Sequence, residues 1–200
     1  MFPSYSKLFK IIIIGDSDVG KSSIISSLVD SKYSPDFQST IGVDFMVKYM
    51  NINNNIYKIQ IWDTAGQEKY APIVKTYFKN IDGIVIVYDV SNYKSFNNLT
   101  KWLKNIDDNV LDKNIPKVLL GNKIDKIKNH NLFDDFKVGD FANKNNLQFF
   151  ETSARNNTNI DQAFLVLLNK MIEKNTIKID DAKYINIDDN HKPSALFCCV

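Results

Sequence analysis

Residues 7–29 have the sequence KLFKIIIIGDSDVGKSSIISSLV, and this stretch decides the fold. A β-branched run ending at Ile14 has the continuous apolar pattern of a strand that is buried on both faces. The run passes directly into a glycine-bounded loop, Gly15 to Ser22, and the apolar residues of Ser23 to Val29 then recur at helical spacing. Strand, glycine loop and helix follow one another, which predicts the start of an α/β domain.

Apolar strand patterns recur along the rest of the chain and alternate with helical segments. Two alternating runs joined by an asparagine turn predict an antiparallel hairpin. The whole pattern predicts an α/β fold, with a six-stranded, mostly parallel sheet, one antiparallel edge strand and helices on both faces. The predicted strands are Lys7–Ile14, Val43–Ile52, Ile56–Trp62, Gly83–Asp89, Lys117–Gly121 and Gln148–Glu151, and the predicted helices are Ser23–Val29, Phe96–Ile106, Asp134–Lys144 and Ile160–Lys174.

Composition excludes several classes of protein. A chain of 200 residues with 44% hydrophobic and 24% charged residues is an ordinary globular domain, not a collagen-like, disulfide-rich or disordered chain. Its net charge of +2 is too balanced to make nucleic acid the main partner. Two histidines and two cysteines do not suit a zinc site. No apolar run approaches the roughly 20 residues of a membrane span, and no signal peptide is recognised, so we expect a cytosolic protein.

The loop from Gly15 to Ser22 has the pattern G-x-x-x-x-G-K-S. Between a strand and a helix, this pattern wraps backbone N–H groups around a polyphosphate, and the helix N-terminus adds its positive end. Lys21 is expected to reach the terminal phosphates, and the Ser22 hydroxyl to bind Mg²⁺. An ordinary strand-to-helix turn is the alternative interpretation of the same residues.

Two later strand ends indicate which base is bound. Residues 122–125, with the sequence NKID, follow a strand whose end faces the ligand crevice of an open α/β sheet. The Asp125 carboxylate can accept hydrogen bonds from the N1–H and 2-amino groups of guanine, which adenine lacks, so guanine is favoured. Asn122 is expected to brace the loop, Lys123 to cover the base, and the Ala154 N–H to suit guanine O6. Alone, this polar turn is more often a plain surface loop.

These motifs, in this order and spacing, resemble those of the Ras superfamily of small GTPases. The likeness covers residues 7–174 and includes Asp63-Thr64-Ala65-Gly66-Gln67. The segments Thr40–Phe45 and Trp62–Tyr70 are specifically similar to the Rab family. The resemblance implies a P-loop GTPase domain over residues 1–174 that binds GTP or GDP with Mg²⁺. Residues 175–200 are expected to form a flexible tail.

The resemblance implies a role for each candidate site residue. Gln67 would be catalytic by orienting the attacking water, and residues 31–40 would be a switch loop that GTP orders and GDP releases. The implied Mg²⁺ residues are Ser22, Thr40 and Asp63. The implied nucleotide-binding residues are Gly15, Asp16, Ser17, Asp18, Val19, Gly20, Lys21, Ser22, Ser23, Tyr33, Thr40, Asp63, Gly66, Asn122, Lys123, Asp125, Ser153, Ala154 and Arg155.

Hydrolysis at such a site is electrostatic and slow without help. Arg155 is the only arginine and belongs to the base end of the site, so an arginine finger, worth about 10³ to 10⁵ in rate, must come from an activating protein. Asp18 stands where Rab loops usually carry glycine. We hypothesise that its charge weakens nucleotide retention; a carboxylate that points harmlessly to solvent is the alternative.

The resemblance also implies partners and a membrane. The residues expected to contact effectors are Ile41, Gly42, Phe45, Trp62 and Tyr77, although aromatic residues on strands and helices are more often core. Cys198 and Cys199 resemble the doubly geranylgeranylated ends of Rab proteins, and two lipid chains anchor where one is marginal. Further expected partners are an exchange factor, a GTPase-activating protein and a GDP-dissociation inhibitor or escort protein.

The function that these expectations favour is a monomeric GTP-hydrolysing switch that recruits effectors for vesicle trafficking. It would act on the cytosolic face of the endoplasmic reticulum, the Golgi or vesicles. Residues 32–36, 121–126 and 95–103 most resemble the Rab subgroup of endoplasmic reticulum and lipid droplets. One alternative is a nucleotide-stabilised membrane adaptor with little hydrolysis, for which Asp18 leaves room. Another, a P-loop kinase or ATPase, is disfavoured by residues 122–125.

Overall fold

The computed structural model describes residues 3–30, 43–64, 77–127 and 135–185. Six strands form one sheet in the order β2-β3-β1-β4-β5-β6, and every neighbouring pair is parallel except β2 with β3. This confirms the predicted fold class, including the antiparallel edge strand. The strands are β1 (Lys7–Ile14), β2 (Val43–Ile52), β3 (Asn55–Thr64), β4 (Gly83–Asp89), β5 (Lys117–Asn122) and β6 (Gln148–Glu151).

In the described part of the chain, helices follow β1, β4, β5 and β6, as the alternating pattern predicts. The predicted helix Phe96–Ile106 is in fact two helices, because Asn98 ends the first while its carbonyl accepts the opening hydrogen bonds of the second. The last helix continues past the predicted end at Lys174 and reaches Ile185. Within the residues that the structure describes, the α-helices are α1 (Lys21–Asp30), α2 (Tyr93–Asn97), α3 (Leu99–Asn109), α4 (Asp135–Lys144) and α5 (Ile160–Ile185).

Strand β1 is buried on both faces and divides the core into two clusters. Side chains of Phe9, Ile11 and Ile13 pack with α1 and α5, whereas Ile12 and Ile14 pack with α2, α3 and α4. All five are 0% exposed. Because neighbouring side chains of a strand point to opposite faces, a continuous apolar run is what a strand covered by helices on both sides requires.

The β2–β3 hairpin turns at Asn53 and Asn54, which have φ values of 50° and 64°. A two-residue turn with positive φ at both positions matches the right-handed twist of the strands, and asparagine tolerates this conformation better than most residues. The turn sets a register in which Ile52 faces Asn55 and Val43 faces Thr64. The predicted hairpin is therefore confirmed, and the two asparagines explain why the chain can turn at this point.

The carboxyl ends of the parallel strands meet at one edge of the sheet. Ile13 of β1 lies beside Asp63 of β3, while Asp89 at the end of β4 lies beside Asn122 at the end of β5. The crevice outside such an edge is where open α/β sheets bind ligands. The register alone thus brings the phosphate motif close to the base motif.

Within the described residues, none of the helices combines the length and the apolar character needed to cross a membrane.

Candidate functional site

The loop between β1 and α1 contains two glycines that no other residue could replace without strain. Gly15 has φ of 148°, and a Cβ there would lie 2.2 Å from the Val87 carbonyl oxygen. Gly20 has φ of 93°, and a Cβ there would lie 2.4 Å from Nδ2 of Asn122. Both values lie in the region that side chains rarely adopt. The pattern G-x-x-x-x-G is therefore required by the tight turn itself.

Lys21 is the first residue of α1, and its ammonium lies inside the loop. Its Nζ donates to the carbonyl oxygens of Gly15 at 3.0 Å and Asp16 at 2.8 Å. Burial lowers the pKa of Lys21 to about 8, although the carboxylates of Asp63, Asp16 and Asp18 raise it in part. A buried cation, held by carbonyls at the centre of a loop, is well placed to meet the negative charge of a phosphate.

Ser22 and Asp63 bring a hydroxyl and a carboxylate together beside the loop. The Ser22 hydroxyl donates to Oδ2 of Asp63, which is buried at the end of β3. Oxygen donors of this kind are the ligands that Mg²⁺ prefers, so these residues fit the expected ion. Among the described residues, no group of three or more His, Cys, Asp or Glu side chains could hold a metal alone. Mg²⁺ usually completes its shell with phosphate and water.

Asn122 joins the phosphate loop to the last loop of the site. Its Nδ2 donates to the carbonyl oxygen of Val19 at 2.9 Å, and its Oδ1 accepts the Ala154 N–H at 3.1 Å. The side chain is 1% exposed. The bracing role expected of Asn122 thus has a direct geometric basis. In this arrangement the Ala154 N–H, expected to suit guanine O6, donates to Asn122.

Lys123 extends across the mouth of the phosphate loop. Its Nζ donates to the Asp18 carbonyl oxygen and lies 2.9 Å from Oδ2 of Asp89. Burial alone would raise the pKa of Asp89, but hydrogen bonds from Ser91 and Lys123 outweigh it and keep that pKa below its ordinary value. Sequence reasoning missed Asp89, whose only signal was an acid at the end of an apolar strand.

Asp125 and Ser153 lie together at the end of the site where a base is expected to bind. The Ser153 hydroxyl donates to Oδ1 of Asp125 at 2.6 Å, and it accepts the N–H of Asn156 at 3.1 Å. Ser153 is fully buried, so it holds the Asp125 carboxylate in one orientation. Arg155, the only arginine, is exposed beside this pair.

Asp16 is linked to helix α3 by two hydrogen bonds. Its Oδ1 accepts from Nε1 of Trp102 at 2.8 Å, and its Oδ2 accepts from Nδ2 of Asn98 at 2.7 Å. Asp16 was predicted as a nucleotide-binding residue, but Asn98 and Trp102 were not predicted as part of the site. Their spacing of four residues, which places them on one helix face, is the only sequence signal that could have pointed to them.

Three aromatic residues expected to contact partners do lie together. The ring of Trp62 lies between those of Phe45 and Tyr77, with centroids 5.2 Å and 4.9 Å away. Phe45 is 48% exposed, whereas Trp62 and Tyr77 are half-buried. Nζ of Lys10 lies 4.7 Å from the Trp62 centroid, within cation–π range. The cluster offers an apolar surface at the β2–β3 side of the sheet.

The remaining predicted residues fall into two groups. In the phosphate loop, Ser17 and Asp18 are exposed, Val19 is buried and Ser23 is half-buried. The other group lies outside the described residues: Tyr33, Thr40, Ile41, Gly42, Gly66, Gln67, Cys198 and Cys199.

Comparison with known proteins places the chain in a family. The sequence model described as "Ras family" matches residues 10–173. The chain is 38% identical to the Ras-related protein Rab-10 of Diplobatis ommata, over 98% of this chain and 97% of that protein. It is 38% identical to the GTP-binding protein ypt1 of Schizosaccharomyces pombe over 100% of both chains. It is 43% identical to the Ras-related protein Rab-1 of Theileria annulata, over 86% of this chain and 78% of that protein. The chain therefore belongs to the Ras family and is a Rab-type small GTPase, an enzyme that acts as a GTP-binding switch in vesicle trafficking.

Proposed function

We propose that the edge formed by the β1–α1 loop and the ends of β3, β5 and β6 binds GTP and GDP. The observation that carries this proposal is Asn122, whose side chain joins the phosphate loop to the Ala154 backbone. One bound molecule with a polyphosphate and a base would span this junction. Lys21 and the loop N–H groups would hold its phosphates, and Asp125, oriented by Ser153, would accept from guanine.

We propose that Ser22, Thr40 and Asp63 hold Mg²⁺. When bound, the ion offsets charge on the phosphate oxygens. The Ser22 hydroxyl already donates a hydrogen bond to the Asp63 carboxylate, and this pair lies near the Lys21 ammonium. Their contact would open when the hydroxyl turns from the carboxylate to the ion, so Asp63 would support the ion without displacing Ser22.

In this proposal the protein promotes hydrolysis by positioning a water molecule and by stabilising the negative charge that develops on the phosphate. Gln67 would orient a water in line with the terminal phosphoryl group, while Lys21 and the loop N–H groups offset the charge that develops there. The carbonyl oxygens of Gly15 and Asp16 hold the Lys21 ammonium at the loop, so little reorganisation is needed. Arg155 lies at the base end, so an activating protein would supply any arginine finger.

Nucleotide analysis of the purified protein tests this function. Protein purified with Mg²⁺ should release GDP or GTP on denaturation, and stripped protein should take up fluorescent GDP only with Mg²⁺. Asp125→Asn replaces one carboxylate oxygen with an amide NH₂ group. One of the two guanine donors, N1–H or the 2-amino group, is then left without an acceptor, and GDP binding should weaken at least about 100-fold. Asp108→Asn, a change of the same kind at an exposed position of α3, is the control. Absence of guanine nucleotide and of Mg²⁺-dependent uptake would reject the proposal.

A hydrolysis assay distinguishes the cycling switch from the adaptor with little hydrolysis. We propose the cycling form, supported by the family to which the chain belongs and by the presence of Gln67 and Thr40 in the sequence. Intrinsic GTP hydrolysis should be slow and should rise with an activating protein. No increase with any such protein, together with stable GTP retention, would favour the adaptor.

Regulators, effectors and lipid anchoring complete the proposal. An exchange factor, a GTPase-activating protein and a GDP-dissociation inhibitor or escort protein would act on the domain, and effectors would bind at Phe45, Trp62 and Tyr77. Geranylgeranyl groups on Cys198 and Cys199 would attach it to endomembranes of the endoplasmic reticulum, the Golgi or vesicles. Imaging of the tagged protein with both cysteines changed to serine should show loss from membranes. Unchanged membrane association would contradict the anchor.

A further inference from the structure

Asp16 occupies a position in the phosphate loop where both its backbone and its side chain are held. Its carbonyl oxygen accepts from Lys21 Nζ at 2.8 Å. Its two carboxylate oxygens are divided between Trp102 Nε1 and Asn98 Nδ2, at 2.8 Å and 2.7 Å. Each oxygen therefore has its own donor on α3, and the carboxylate has one preferred orientation.

Asn98 makes this bond instead of capping its own helix. It stands at the N-cap of α3, a position where asparagine usually accepts from the N–H groups of the first turn, but its side chain makes no capping hydrogen bond. Its backbone is helical, with φ of −74° and ψ of −10°, which is not the extended conformation from which an N-cap side chain reaches the first turn. The side chain is committed to the phosphate loop.

Helix α3 is a firm support for this bond. Leu99 and Ile106 are 0% and 2% exposed in the cluster that packs on β4 and β5. Trp102 is half-buried and packs against the same cluster, which fixes its ring as well as its N–H group. The loop is thereby tied to the layer of helices through donors that have little freedom to move.

The Asp16 carboxylate would otherwise be free to approach the phosphates. It lies close enough to Lys21 to influence the charge of the ammonium, together with Asp63 and Asp18. An anion in that position competes with a bound polyphosphate for the same cation and repels its oxygens. Two N–H donors on α3 draw the carboxylate away and offset its charge.

We propose that Asn98 and Trp102 are positioning residues that hold the phosphate loop through Asp16 and so set the lifetime of the bound nucleotide. This inference depends on the proposed nucleotide site. Neither residue touches the nucleotide in this proposal; both act by fixing the backbone at Gly15 and Asp16. A protein that shifts α3 would accordingly change nucleotide release.

Release of fluorescent GDP from the Mg²⁺-loaded protein measures the effect. Trp102→Phe keeps an aromatic ring but removes the indole N–H group together with part of the indole's packing, and Asn98→Ala removes the other donor. Each should accelerate release about three- to tenfold, which is less than the full effect of a lost hydrogen bond to a charged group, because the Asp16 carboxylate keeps its second donor. Asn97→Ala, an exposed neighbour in α2, and Lys101→Ala, on the exposed face of α3, should release GDP at the wild-type rate.

An exchange of partners distinguishes positioning from general loss of stability. Asp16→Asn should accelerate release, because residue 16 then has one oxygen for the two donors of Asn98 and Trp102. Asn98→Asp should also accelerate release, because it places a second carboxylate against that of Asp16. Combined, the amide of residue 16 donates to the carboxylate of residue 98 and accepts from Trp102, so release should slow again. Ile106→Val lowers the stability of α3 without touching Asp16 and should leave release unchanged.

The measurements distinguish failure of the proposed nucleotide binding from failure of the positioning role of Asn98 and Trp102. A wild-type protein that binds no fluorescent GDP would overturn the proposed function, and this inference with it. A wild-type protein that binds GDP, with Trp102→Phe and Asn98→Ala releasing it at the wild-type rate, would overturn this inference alone. Equal acceleration in Ile106→Val, or no recovery in the exchanged double variant, would also overturn it.

Discussion

Gly20 and Asn122 are packed so closely that a side chain at residue 20 has no room. A Cβ on Gly20 would lie 2.4 Å from Nδ2 of Asn122, the atom that donates to the Val19 carbonyl oxygen. Gly20 also has φ of 93°, which disfavours any side chain. The glycine of the phosphate motif thus serves a second purpose, because it admits the amide that joins the phosphate loop to the base end.

Gly20→Ala should therefore damage both folding and binding. The strained φ and the contact with Asn122 together should lower the free energy of unfolding by about 1 to 3 kcal/mol. The Asn122–Val19 hydrogen bond should break, and GDP affinity should fall at least about tenfold. Urea denaturation and GDP titration measure the two effects.

Gly139→Ala is the matched control. Gly139 lies within α4, and a Cβ there meets nothing within 4 Å. Alanine should raise the free energy of unfolding by roughly 0.5 to 1 kcal/mol, because glycine is the poorer helix former. GDP affinity should not change. If Gly20→Ala and Gly139→Ala have the same free energy of unfolding and the same GDP affinity, the close approach of Asn122 to residue 20 matters neither for folding nor for binding.

Lys21 should make the stability of the nucleotide-stripped protein depend on pH in an unusual direction. Burial lowers its pKa from 10.5 to about 8. Between these values the unfolded chain keeps a proton that the folded chain has lost, so the free energy of unfolding rises with pH. Below pH 8 the buried charge lowers the free energy of unfolding by about 3 kcal/mol, and this penalty disappears as the pH rises toward 10.5.

The comparison with Lys21→Met isolates this effect. Burial also lowers the pKa of Lys10 and Lys117, with the same sign, but both remain in the variant and cancel in the difference. The free energy of unfolding of the wild type minus that of the variant should increase between pH 8 and pH 10. A difference that stays level or falls over this range would contradict the lowered pKa.

The sequence determined the sheet more fully than the site. The ends of β1, β2, β4 and β6 were predicted correctly. In β1 and β4 the signal is a continuous apolar run, because helices cover both faces, whereas in the edge strand β2 it is alternation. The break at Asn98 left no such signal. Asparagine is a weak helix former, but it also occurs within helices, so propensity alone does not place the break at Asn98.

Contacts between distant segments were the part that the sequence did not reveal. Trp102 and Asp16 are separated by 86 positions, and their hydrogen bond exists only because α3 packs on the sheet beside the phosphate loop. Lys10 is similar: its position in β1 predicts burial, whereas its contact with Trp62 depends on the neighbouring strand. Motifs specify local backbone shape, and tertiary packing decides which side chains support them.

Phe45→Ala should separate partner binding from nucleotide binding. Phe45 is 48% exposed, so truncation should cost little stability, but it removes the outer ring of the cluster with Trp62. Binding of GTP-dependent partners should fall at least about 30-fold, as for an interface hot spot. Retention of partners from cell extract on GTP-loaded protein measures this, with GDP-loaded protein for reference.

Tyr93→Ala is the control for Phe45→Ala. Tyr93 is 57% exposed on α2, so its loss removes a comparable aromatic surface. Partner retention should match the wild type, and both variants should bind GTP normally. Equal retention by Phe45→Ala and the wild type would remove Phe45 from the partner surface.

Asp18 combines a left-handed backbone with a charge near the phosphate loop. Its φ is 63°, which confirms that the loop needs an unusual angle at this position. The side chain is exposed, yet its carboxylate contributes to raising the pKa of Lys21, so it acts on the loop electrostatically. We hypothesise that the charge shortens the time for which a nucleotide stays bound.

Asp18→Gly and Asp18→Asn distinguish the charge from the backbone. Glycine relieves both the angle and the charge, whereas asparagine keeps a side chain that tolerates the left-handed region and removes only the charge. If repulsion shortens retention, both variants should release GDP more slowly than the wild type, by about two- to fivefold for a partly screened charge. The difference should shrink at high salt, because an exposed carboxylate is screened. Release at the wild-type rate or faster in Asp18→Asn would mean that the carboxylate does not shorten retention.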